Sequence, residues 1–87
     1  MTAMPGPQEV REIVVRSFVE FGAKRPHLLR ETILVSRGRY LARSYRLEGL
    51  LAMWHIEEGV LRLYDARRRV LRTINLFGEV VPQRMVA

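Results

Sequence analysis

The sequence predicts an α+β fold, with one N-terminal amphipathic helix packed on one face of a four- to five-stranded antiparallel β-meander. Three observations predict it. Apolar residues recur at helical spacing in the first quarter of the chain; from Glu31 the period changes to two; and glycine-bearing turns then break the chain into short runs with no helix between them. With 87 residues, the chain has enough material for one hydrophobic core and too little for two. The reading is therefore a single domain over 1–87, with a tail at 1–6, a helix at 7–22, a meander at 31–76 and a C-terminal extension at 77–87.

The helix begins at Gly6-Pro7, where the missing proline N–H costs nothing, and Glu9 stands in its first turn against the positive end of the dipole. Val10, Ile13, Val14, Phe18 and Phe21 form the apolar stripe, with Ser17 filling a gap. Val15 and Val19 fall on its flank, at the edge of the expected core. Gly22 suits the C-terminal cap and Pro26 forbids continuation.

The strands follow as Ile33-Leu34-Val35, Arg39 to Leu47, Leu50 to Ile56, Val60 to Asp65 and Val70 to about Leu76. Arg37-Gly38 suits a two-residue hairpin turn, pairing Val35 with Tyr40 and Ile33 with Ala42. Glu58-Gly59 as a loop sets Ile56 opposite Leu61 and Trp54 opposite Leu63, and a loop at Ala66 to Arg68 sets Leu63 opposite Leu71. After Leu47, a two-residue Glu48-Gly49 turn would bury Arg43 as an isolated charge. A three-residue loop over Leu47 to Gly49 avoids this, placing Ala42 opposite Trp54 and Tyr40 opposite Ile56. One face then carries Ile33, Val35, Tyr40, Ala42, Trp54, Ile56, Leu61, Leu63 and Leu71 as the bed for the helix.

The opposite face carries Leu41, Arg43, Tyr45, Leu51, Met53, His55, Arg62, Tyr64, Val70, Arg72 and Ile74. It is too apolar for a plain solvent face and too basic for a plain core. The candidate binding residues are Arg43, Tyr45, Met53, His55, Arg62, Tyr64 and Arg72, and Arg62 is expected directly opposite Arg72, a like-charge pair that invites an anion. Phe77 to Ala87 could drape over this face or add an edge strand.

Composition narrows the function classes. Without cysteine, neither a disulfide framework nor a thiolate metal site can form. The apolar runs are far shorter than the roughly 20 residues of a membrane span, and the N-terminus lacks the pattern of a secretion signal, so a cytoplasmic protein is expected. The net charge is +6, but fourteen of the fifteen basic residues are Arg, as a GC-rich coding sequence would also produce. His27 has no carboxylate companion. His55 and Glu57 share a strand face without the further ligands a metal needs, and neither a nucleophile elbow nor a phosphate-binding glycine loop occurs. No enzyme activity, cofactor or metal is expected. The functional expectation is a small protein-interaction module, working as a homodimer or accessory subunit. The alternative is single-stranded nucleic-acid binding, with Tyr45 and Tyr64 stacking bases and arginines tracking phosphates.

Overall fold

The computed structural model describes residues 5–76. Helix α1 (Pro7–Glu20) precedes a 3₁₀ turn (Pro26–Leu28) and the strands β1 (Arg30–Ser36), β2 (Arg39–Leu47), β3 (Leu50–His55), β4 (Val60–Tyr64) and β5 (Val70–Asn75). The strands form one antiparallel sheet in sequence order, β1-β2-β3-β4-β5, so the α+β meander read from the sequence is the fold. The extension at 77–87 and the tail at 1–4 lie outside the described residues.

The helix ends where local chemistry ends it. Gly6 N donates to the Glu9 carboxylate at 2.8 Å at the N-terminus. At the other end Gly22, at φ +106°, lets Gly22 N reach Val19 O and Ala23 N reach Phe18 O, the paired bonds of a Schellman motif. Val10, Val14, Ser17 and Phe18 are buried, and Ile13 and Phe21 pack beside them. Val15 is half-buried and Val19 is exposed. The helix closes over Tyr45, Leu47, Ala52, Trp54, Leu61, Leu63 and Leu76.

The sheet register corrects the sequence reading in four places. First, Leu47 pairs with Leu50, so Glu48-Gly49 is a two-residue turn, with φ 49° and 86° as a type I′ hairpin requires. This turns Arg43, Tyr45 and Leu47 toward the helix and Ala42, Ser44 and Arg46 away. The charge penalty that argued against it does not arise, because Arg43 is not isolated: its Nη1 lies 2.5 Å from Glu31 Oε2 and its Nε donates to the Tyr40 hydroxyl. Second, Val35 pairs with Tyr40 as expected, but Leu34 pairs with Ala42 and Ile33 with Arg43, which leaves Leu41 as the extra residue of a bulge. Third, His55 pairs with Val60 across a four-residue loop, and Trp54 pairs with Leu61 rather than Leu63. That slip is of two residues, so every side chain keeps its face. Ile56 falls in this loop and still packs against the core. Fourth, Tyr64 pairs with Val70 as expected but Leu63 pairs with Arg72, so Leu71 is a bulge residue and Arg72 and Ile74 turn to the helix side.

Fourteen helical residues at about 1.5 Å each reach about 21 Å, close to the four strand spacings, about 19 Å in all, that separate β1 from β5. Ion pairs tie the helix to both edges. Arg11 Nη1 is 3.2 Å from Glu31 on β1, and Arg72 Nη1 on β5 is 2.8 Å from Glu20 and 3.4 Å from Ser17 Oγ. The helix thus reaches from β1 to β5 on one face, where Ile33, Val35 and Tyr40 remain exposed. The other face is left uncovered by any described element.

Candidate binding face of the sheet

Cross-strand partners share a face, so the pairing assembles the uncovered side in three rows. One runs Arg30, Arg46, Leu51, Tyr64 and Val70; the next runs Thr32, Ser44, Met53, Arg62 and Thr73; the third runs Leu34, Ala42, His55, Val60 and Asn75. The side chains of the middle strands are half-buried here although no helix lies over them. This side holds a groove of about 590 Å³, walled by Arg30, Thr32, Leu34, Ser44, Arg46, Leu51, Met53, His55, Tyr64 and Arg68. A second hollow of about 300 Å³ opens at the end of the sheet beside Leu28 and Gly49 and shares Arg30, Arg46 and Arg68 with the first. Three guanidinium-bearing residues therefore stand at the divide between the two.

Of the candidate binding residues, Met53, His55, Arg62 and Tyr64 are on this face. Three are not. Tyr45 is fully buried under the helix, Arg43 is locked to Glu31 and Tyr40 on the helix side, and Arg72 stacks on Phe21, 4.8 Å from the ring centroid, while holding Glu20. The expected Arg62–Arg72 pair is replaced by Arg62 opposite Thr73. A like-charge pair does occur elsewhere, with Arg30 directly opposite Arg46. His55 and Glu57 do not share a strand face, because β3 stops at His55 and Glu57 reaches Arg39 at 2.9 Å from the following loop. Ser44 lies on the groove side. Arg30, Arg46 and Arg68 were missed; the first two follow from the flipped β2, and Arg68 from a turn with φ +64°.

The electrostatics of the face are one-sided. It carries no carboxylate among the described residues. Glu9, Glu12 and Glu20 lie on the helix, Glu31 faces the helix, Glu48, Glu57 and Glu58 occupy loops, and Asp65 is committed to the β4–β5 turn. Asp65 accepts from Arg67 N, Arg69 N and Arg69 Nε, each at 2.9 Å, and the Arg69 backbone bond foremost holds its carboxyl below the usual range. The side chains of Arg30, Arg46 and Arg62 make no ion pair or hydrogen bond with any described residue. No cluster of three or more His, Asp or Glu side chains suited to a metal ion occurs among the described residues. None of the described helices is long and apolar enough to cross a membrane. Comparison with protein-family models, curated proteins and solved structures finds no match.

Proposed function

We propose that this protein is a small binding module that holds single-stranded nucleic acid on the uncovered face of its sheet. The observation that carries the reading is a groove with no carboxylate among the described residues, lined by the unpaired side chains of Arg30 and Arg46 with Arg68, and with the unpaired Arg62 side chain on the same face. Such a surface attracts a polyanion, and the half-buried Tyr64 ring, in the groove that Met53 and His55 also line, offers a stacking platform that is indifferent to base identity. A sheet face bearing an aromatic ring and phosphate-seeking cations is the general chemistry of single-strand recognition. The reading involves no catalytic step and places the module in the cytoplasm, where a cysteine-free basic domain would meet RNA.

A short single-stranded RNA or DNA should bind at low salt, with log affinity falling linearly in log salt by about 0.7 per phosphate contact. Replacing Arg30 and Arg46 together with Gln should weaken binding and flatten that slope by about 1.4. Tyr64→Ala should cost about 1–3 kcal/mol of affinity without changing the slope. Absence of binding at low salt, or binding indifferent to the Arg30 and Arg46 exchange, rules the reading out.

A second reading, a protein-interaction module that pairs with itself, is favoured by a different observation, the exposed apolar residues of β1. Face-to-face stacking of two sheets suits it poorly, because the arginines of one groove would meet those of the other.

A further inference from the structure

The two edges of the sheet are built differently. On β5 the bulge residue Leu71 interrupts the edge itself, and Arg72 turns inward to the helix. Bulges of this kind blunt an edge against pairing. On β1 the bulge falls on the neighbouring strand, where Leu41 is the extra residue, so Arg30 to Ser36 keep an unbroken register. Ile33, Leu34 and Val35 are 51%, 37% and 60% exposed. Between Thr32 and Ser36 there is no charge, proline or glycine. A free, uncharged, β-branched edge is what monomeric sheet proteins avoid.

We infer that β1 pairs antiparallel with β1 of a second copy, joining two meanders into one continuous ten-stranded sheet. Symmetry selects the register. A two-fold axis perpendicular to the sheet keeps each face on its own side, so partners must come from the same face, and the axis must pass through a residue. Centred on Ile33, it would set Thr32 against Leu34 and Glu31 against Val35. Centred on Val35, it would set Ile33 against Arg37. Centred on Leu34, it sets Ile33 against Val35 of the second copy and Thr32 against Ser36, apolar with apolar and hydroxyl with hydroxyl. The same register brings Glu31 beside Arg37 of the second copy, an opposite-charge neighbour at each end, while each Arg30 lies far from its own copy. The strand is self-complementary only in this arrangement. Thr32 and Leu34 also line the groove, so the two grooves would run together across the axis. The inference stands without the nucleic-acid reading.

A single strand pair is a small contact, so a dimer that forms reversibly in the micromolar range is expected. Light scattering from micromolar to near-millimolar protein should show a monomer giving way to a dimer, with amide-exchange protection of 32–36 rising in step. Leu34→Lys, which puts two ammonium groups on the axis, should leave a monomer. Arg37→Glu keeps a residue type that the β2–β3 turn already holds at the same φ, as Glu48, and should weaken association roughly tenfold by reversing the end pairs. A monomer at every concentration overturns the inference. So does concentration-independent protection of those 32–36 amides that point away from β2, which would mean the chain covers its own edge. A dimer that survives both substitutions overturns it as well.

Discussion

The phenol of Tyr45 sits fully under the helix, and its hydroxyl finds no hydrogen-bond partner among the described residues; Trp54 Nε1 is in the same position. A buried hydroxyl without a partner has lost its water and gained nothing in return. Tyr45→Phe should therefore leave stability unchanged or raise it by up to about 1 kcal/mol, seen as a higher melting temperature at neutral pH. A fall of similar size would show that the hydroxyl has a partner. Burial also pushes this phenol's pKa well above its usual 10, with the Glu31 carboxylate adding to the shift. The unfolded chain ionises first as pH climbs past 10, so the folded state loses stability there, and the Phe variant should lose less. Arg43 shows why this part of the core was hard to read in sequence. A charge between Ala42 and Ser44 argues for a solvent face only if it is alone. Its partners, Glu31 and Tyr40, stand 12 and 3 residues away, and Glu31 qualifies only once β1 is paired with β2. Turn chemistry at Glu48-Gly49 was the stronger signal, and its consequence was to bury Tyr45 and free Arg46.

Among the elements, the helix and the five strands were legible because most carry a local cause: a proline start, a glycine stop, a period of two, and glycine after the first three strands, although β1 begins three residues before the expected Ile33 and the helix ends two residues before Gly22. The two bulges were not. Leu41 and Leu71 look like any other strand residue, and only the hydrogen bonding on both sides reveals that one residue too many is present. Yet each bulge changes which residues face the groove. The link from the helix end to the β2–β3 turn was equally hidden. Glu48 accepts from Arg25 N at 2.7 Å and from Lys24 N at 3.1 Å, and these bonds, Arg25 first, hold its carboxyl below the usual 4.5. A depressed folded pKa means the contribution to stability is complete above the unfolded value and is lost as pH falls through the folded one. Melting temperature should accordingly drop as pH is lowered below 4.5. Glu48→Gln should melt lower at pH 7 and show a shallower acid decline. An identical acid profile in the variant would mean that this link contributes nothing.

For the whole molecule, the distribution of charge matters more than its total. The carboxylates of the described residues lie on the helix, in the turns and in the edge ion pairs, so part of the excess of +6 is left on the one face no described element covers. Met53, His55, Arg62 and Tyr64 were legible members of that face because β3 and β4 are central and the error in their loop was an even one. Two effects of salt then pull in opposite directions. Screening relieves the repulsion between Arg30 and Arg46 and across the basic face, so added sodium chloride should raise the melting temperature of the free protein slightly. Counterion release makes the same salt weaken a bound polyanion. An oligonucleotide at about a hundred times its dissociation constant stabilises the fold by about 2.7 kcal/mol. At roughly 4–8 °C per kcal/mol for a domain of this size, that is a rise of about 10–20 °C. The rise should shrink as salt is added while the free protein's melting temperature climbs, and it should largely vanish when Arg30 and Arg46 are both Gln. If salt moved both melting temperatures in the same direction, the basic face would not be where the polyanion binds.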